Sequence, residues 1–143
     1  TQYTVQRTLA KLIEHLHPQD VGDHLQEVCR TLRPGGIYLC VTPSRYNGPH
    51  DISRYFDDVA TGFHMREYAH QDLIPLCHAA GFDDVRPLLG IAGRFFSLPA
   101  APVCALERAL DWLPGRVRRQ VALRAPFFRL LGVMVAARRR QIA

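Results

Sequence analysis

Apolar residues along this chain alternate between helical spacing and short continuous runs. Val21, Leu25, Val28, Cys29 and Leu32 recur three and four apart, with Gln19, Asp23, Gln26, Glu27 and Arg30 mostly opposite, so the spacing predicts a helix from about 18 to 32 opened by Pro18. Arg33-Pro34-Gly35-Gly36 follows, and then the unbroken run Ile37-Tyr38-Leu39-Cys40-Val41-Thr42. Glycines just past a helix permit a left-handed C-terminal cap, and a continuous apolar strand suits a parallel sheet covered on both faces. Pro43 stops the strand because proline cannot donate to a ladder. Upstream, residues 5 to 16 show a mixed pattern compatible with a further helix.

Residues 43 to 69 hold neither period. A connection longer than about 12–15 residues without regular structure is usually a lid, a binding loop or disorder. Tyr46, Tyr55, Phe56, Phe63 and Tyr68 argue for an ordered loop, because aromatic side chains bury large areas when ordered. Leu73, Leu76, Cys77 and Ala80 then predict a helix over about 70 to 80 with Pro75 near its start and Gly81 as its stop. Phe82 to Ile91 reads as a strand, Val103 to Leu113 as a helix opened by Pro102, and 116 to 124 as a short basic helix. Leu130 to Ala137 is taken as a closing strand, with a helix as its alternative. The order is α/β, with too few strands for a complete doubly wound sheet.

Composition narrows the function classes. With 143 residues, 48% hydrophobic and 22% charged, the chain can build one core. It shows no apolar run of about 20 residues, and TQYTVQRTLAK lacks the apolar centre of a signal peptide, so a cytoplasmic protein is expected. Cys29, Cys40, Cys77 and Cys104 stand apart inside apolar patterns and read as buried free thiols. Arginines concentrate after residue 115 without an interleaved aromatic platform, which favours no nucleic acid partner. Two amphipathic patterns with a basic face between 102 and 129 permit a peripheral contact with an acidic membrane, beside the plainer reading of core packing and a solvated face.

Leu12-Ile13-Glu14-His15-Leu16, the helix after it, Leu32-Arg33-Pro34-Gly35-Gly36 with its strand, and Ala79-Ala80-Gly81-Phe82 together resemble the second half of class I S-adenosylmethionine-dependent methyltransferases. Leu131 to Arg138 resembles the antiparallel seventh strand of that family. The resemblance implies a partial Rossmann-like fold: strands five, six and seven with flanking helices, and a two-helix insertion over 95 to 128 before the last strand. No G-x-G-x-G loop and no acidic strand end for the cofactor ribose is found, and 1 to 11 lacks the apolar start of a fourth strand, as in a divergent or truncated N-terminus. The strand after Gly36 would then present an unpaired apolar edge, through which self-association is expected.

By the same resemblance, Glu14 and His15 line the cofactor cleft, S-adenosylmethionine being the cofactor of the complete enzyme, and the acceptor is a small molecule. Ligands gather at the carboxyl ends of parallel strands, where the loop at 43 to 69 begins. His50 is a candidate general base with Asp51 or another carboxylate orienting it, and loop-stabilising hydrogen bonds by both are the alternative. Arg54, Tyr55 and His64 are candidate acceptor-binding residues, with a surface salt bridge and packing as their plainer roles. Glu14 and His17 invite a metal reading that Lys11 opposes, so no metal site is expected. The reading is a C-terminal portion of a methyltransferase, weak or inactive alone; the alternative is a non-enzymatic interaction or membrane-surface module that retains half of the fold.

Overall fold

The computed structural model describes residues 12 to 56, 59 to 60 and 62 to 141. A 3-10 turn at Ile13–His15 leads into helix α1, Val21–Thr31, and strand β1, Ile37–Thr42. After the long loop come α2, His70–Ala79, and β2, Phe82–Ile91. Strand β3, Arg94–Ser97, and helices α3, Ala100–Asp111, α4, Gly115–Ala122, and α5, Phe127–Leu130, precede the last strand β4, Val133–Arg139. The helix expected over 5 to 16 falls mostly outside the described residues.

The sheet order is β1-β4-β2-β3, and each bonded pair is antiparallel. β1 and β2 therefore run in the same direction, with β4 lying between them and opposed to both. Cys40 and Pro87 flank Val135, while Tyr38 and Val85 flank Ala137. Side chains alternate along β1: Tyr38, Cys40 and Thr42 are buried, whereas Ile37, Leu39 and Val41 are only half-buried. This corrects the expectation of a parallel strand covered on both faces. The only strand bonded along β1, among the described residues, is antiparallel, and helices cover one face more fully than the other.

That covered face carries the main core. Val21, Leu25 and Cys29 of α1 and Leu73, Ile74 and Cys77 of α2 meet Tyr38, Cys40, Val85, Val133, Val135 and Ala137. All four cysteines are free and buried, and burial pushes the Cys40 and Cys77 thiols up to about 12. A smaller cluster joins Leu110 of α3, Ala122 of α4 and Leu131 to Tyr46 and Ala69 of the long loop.

Local chemistry explains where the elements depart from expectation. α1 begins at Val21 rather than Pro18, because Asp20 N–H bonds His17 C=O at 2.8 Å in a separate turn. Leu32 at its C-terminal end is extended, so Gly35 caps nothing. Instead Gly36 N–H donates to Arg33 C=O at 2.8 Å and Gly35 has φ +75°, a type II turn with Pro34 at its second position. The turn is tied to β4 by Gly35 N–H to Arg139 C=O and Arg139 N–H to Gly36 C=O. β3 was not legible: its four residues are all exposed and carry no burial period, and its turn uses Ala92 and Gly93, both at positive φ, rather than Asn-Gly. The expected two-helix insertion accordingly holds a hairpin strand and a third short helix, and Leu130-Leu131 precede the final strand instead of opening it.

Among the described residues β4 is the sole strand linking β1 and β2, so a void there should weaken the whole sheet. Val135, fully buried, is the test. Val135→Ala should lower stability by about 2 kcal/mol, seen as a lower urea midpoint at unchanged slope. An unchanged midpoint would show that β4 does not carry the core.

Candidate functional site

Three segments converge at the carboxyl end of β1: the 3-10 turn carrying Glu14 and His15, the strand end at Thr42, and the returning limb of the long loop. Glu14 is 1% exposed. Its carboxylate accepts a bond from Thr42 Oγ1 at 3.2 Å, and its backbone C=O accepts from Met65 N–H at 2.7 Å. The loop closes on itself through the bridge of Ser44 with Tyr68, which brings its two ends together as in an Ω-loop. Its aromatics divide: Tyr46 and Tyr68 are buried, whereas Tyr55, Phe56 and Phe63 are exposed.

Asp51 organises the middle of the loop. Its Oδ1 accepts from Ser53 N–H at 2.9 Å, capping the 3-10 turn Ile52–Tyr55. Its Oδ2 accepts from the backbone N–H groups of Gly62, Phe63 and His64 at 3.0, 2.9 and 3.1 Å. Burial pushes the Asp51 carboxyl up, but the N–H donors of His64, Ser53 and Phe63 outweigh it and hold the carboxyl well below the ordinary range. Both oxygens are thus committed to backbone, and Asp51 does not orient His50.

Glu67 does. Buried under the loop, it accepts His50 N–H at 2.7 Å and faces the Nδ1 of His50 at 3.3 Å and of His64 at 3.0 Å. Because a carboxylate only accepts, each ring must donate from Nδ1, which leaves each Nε2 as the basic nitrogen. Burial raises the Glu67 carboxyl, and the bonds from His50 and His64 overcome that and lower it. Gly48 makes room for this arrangement, since a Cβ there would run into Glu67 Oε2. Sequence patterning missed Glu67, an acidic residue in a charged stretch with no period; its distance of 17 residues from His50 is closed only by the loop's return.

The other expected residues separate. His15 and His64 meet edge to face with ring centroids 5.0 Å apart, and His15 Nδ1 donates to Phe63 C=O at 2.9 Å. Arg54 stacks on Tyr55 and bonds its hydroxyl at 2.6 Å, both being exposed. Glu67 lines a cavity of about 310 Å³ with Arg45, Tyr46, Arg66, Asp111 and Arg118 among others, and none of His50, Asp51, Arg54, Tyr55 and His64 belongs to its lining. Arg45 there bonds Asp111 at 2.9 Å and sits 5.0 Å above the Tyr46 ring.

A second buried carboxylate anchors the wall of this cavity. Glu107 of α3, fully buried, accepts from His70 N–H at 3.0 Å and Gln71 N–H at 2.8 Å, satisfying orphan donors of the α2 N-terminus. It also takes His70 Nδ1–H at 2.7 Å. Tyr46 OH donates to Glu107 C=O at 3.1 Å, so α3, α2 and the loop are fastened at one place.

No protein-family model matches the chain. Over 81 residues, 57% of its length, the chain is 37% identical to a protein of Mycolicibacterium smegmatis described as a probable S-adenosylmethionine-dependent methyltransferase. The matched part spans only 29% of that relative's length.

The lowered carboxyls of Asp51 and Glu67 give the loop a pH signature. A depressed folded-state pKa adds stability that is present above the ordinary values of 3.8 and 4.5 and is lost as pH falls toward the folded values. Denaturant midpoints should therefore fall between about pH 6 and about pH 3, and Asp51→Asn should flatten that fall. Parallel pH profiles for the variant and the parent protein would refute it.

Proposed function

We propose that this chain is the C-terminal portion of an S-adenosylmethionine-dependent methyltransferase, supplying an acceptor-binding loop and one wall of the cofactor cleft. The observation that carries the reading is the loop itself. It leaves the carboxyl end of β1, folds over a cavity and returns against Glu14, where the resemblance sets the cleft. Supporting it are the last strand, antiparallel to both β1 and β2 as the resemblance implies, and the similarity to the mycobacterial protein.

The described residues do not fit the cofactor by themselves. Glu14 is turned to Thr42, the cavity is lined by neither Glu14 nor His15, and the sequence has no glycine loop to bring backbone N–H groups to a nucleoside. A glycine loop and a ribose-binding carboxylate belong to another part of the protein in this reading. When bound, the cofactor supplies an electrophilic methyl group. His50, whose Nδ1 is committed to Glu67, presents Nε2 to take a proton from an acceptor hydroxyl, and the Glu67 carboxylate stabilises the resulting imidazolium. Arg45, Arg66 and Arg118 line the cavity together with Glu67 and Asp111, and Asp72 or Asp111 pairs each of the three arginines, so the lining offers mixed polar contacts rather than a purely cationic wall. β1, terminal in the sheet order, is where the missing neighbour strand pairs, or where two copies of this chain associate in its absence.

Calorimetry should show no tight binding of S-adenosylmethionine to this chain, and micromolar affinity once an upstream strand and G-x-G-x-G segment are joined to it. Micromolar binding by the chain alone overturns the portion reading. In the extended protein, His50→Ala should cut turnover by about 100-fold with cofactor affinity unchanged. Full turnover would assign His50 to loop stability.

One set of observations favours an interaction or membrane-surface module instead. Trp112 is 90% exposed, and Val117, Leu123 and Phe128 are also exposed beside Arg116, Arg124 and Arg129. No helix among the described residues is long and apolar enough to cross a membrane, so the contact would be peripheral. Trp112 is the only tryptophan in the chain, and its emission should shift to the blue with phosphatidylserine vesicles if that reading holds. Unchanged emission at low salt removes it.

A further inference from the structure

We propose that Glu14, His15 and His64 form a binding site for one divalent first-row transition metal ion, with zinc the best match. One ligand atom from each residue lies within 4.8 Å of those of the other two. The inference concerns a different set from Glu14 with His17, and it holds whether or not the chain belongs to a methyltransferase.

The hydrogen bonds behind the two rings are what distinguish this cluster from a chance grouping. A histidine that binds a metal through one nitrogen typically donates its other N–H to a carbonyl or a carboxylate, which fixes the tautomer and raises the basicity of the ligating nitrogen. Both rings are held in this way. His15 Nδ1–H donates to Phe63 C=O at 2.9 Å, and His64 Nδ1–H donates to Glu67 Oε1 at 3.0 Å. Each Nε2 is left as a bare lone pair, and among the described residues neither has a hydrogen-bond partner. Glu67 itself is buried and bonded to His64, so the carboxylate, histidine and metal would stand in series.

Glu14 adds the anionic ligand. It is 1% exposed, yet among the described residues its carboxylate accepts a single side-chain bond, from Thr42 Oγ1 at 3.2 Å. A buried carboxylate with so little compensation is expensive, and a cation is the partner that meets the remaining oxygen. Two histidines and one carboxylate are the donor set of open zinc sites and of other first-row ions, and imidazole donors discriminate against calcium and magnesium. Ligands on one zinc ion sit about 2 Å from it and therefore about 3–4 Å from one another, so a pair at the 4.8 Å limit closes by about an ångström on binding. His15 is exposed and on a 3-10 turn, which gives it the freedom to move. Its exposure also leaves the fourth position open to water or to an oxygen ligand from solvent.

The cysteines are not competitors. All four are buried, and burial raises every thiol, so no thiolate is offered at neutral pH.

Cobalt(II) titration of the metal-free chain tests the site, because its visible bands report coordination number and any thiolate charge-transfer band reports sulfur. The expected result is one equivalent of cobalt in a four- or five-coordinate nitrogen and oxygen field, displaced by zinc. His15→Ala, at an exposed position, should weaken binding by at least about tenfold, and Glu67→Gln by about tenfold with all three ligands retained. His17→Ala should leave it unchanged. Glu14→Gln repeats the test at the buried ligand, with circular dichroism to confirm that the variant folds. Absence of a stoichiometric band, a sulfur charge-transfer band, or the same affinity in His15→Ala as in the parent chain overturns the site.

Discussion

The antiparallel insertion of β4 between β1 and β2 is the constraint on which the rest of the molecule depends. β1 and β2 are separated by a loop of nearly thirty residues and a helix, and neither bonds the other. Only when the last segment of the chain arrives do Tyr38, Cys40 and Val85 acquire a common neighbour row in Val133, Val135 and Ala137. The same strand end receives the Arg33–Gly36 turn through two backbone bonds and carries the Arg139 guanidinium to the carbonyls of Arg30 and Leu32. Contacts so distant in sequence must overcome loop-closure entropy before they stabilise anything, so the sheet forms as a unit or not at all.

Around that frame, buried carboxylates do the organising. Asp51 gathers four backbone amides, Glu67 joins two histidines, Glu107 caps α2 from another helix, and Glu14 ties the 3-10 turn to the end of β1. A buried anion is costly unless its lone pairs are met, and charge-assisted bonds from backbone N–H groups meet them with good directionality. An irregular loop can thereby be held as firmly as a helix while keeping His50 and His64 near its outer side. The positions of both rings follow from Glu67, and Gly48 leaves the space that Glu67 needs.

The legible part of the site was its residue types and its place in the chain. The loop at 43 to 69 stands out because it has aromatics without a period, and His50, Asp51 and His64 stand out within it as imidazoles and a carboxylate suited to acid–base chemistry, whereas Glu67 does not stand out from the other charged residues there. Their pairing was not legible. The sequence left Asp51 or another carboxylate as the partner of His50, and the structure supplies the other one, Glu67, because Asp51 is taken up by amides eleven to thirteen positions on. Arg54 and Tyr55, next to one another, found each other at the surface rather than the cavity. Glu107 lies on the apolar face of α3 with Val103 and Leu110, and the donors that satisfy it are supplied only when α2 is set against it.

Sequence alone determined the elements whose signals are local: α1 and α2 by helical spacing, β1 and β2 as short apolar runs, with a glycine or proline near the boundaries, and the free, buried state of four scattered cysteines. These depend on backbone preference and on one apolar face, which a short window contains. Tertiary structure alone decided the neighbours of each strand, the turn type at Gly35, the exposed hairpin strand β3, and the meeting of Glu14, His15 and His64. Register and side-chain meeting depend on the packing of segments far apart in the chain, and no local period records which distant group will be there to receive a lone pair or a proton.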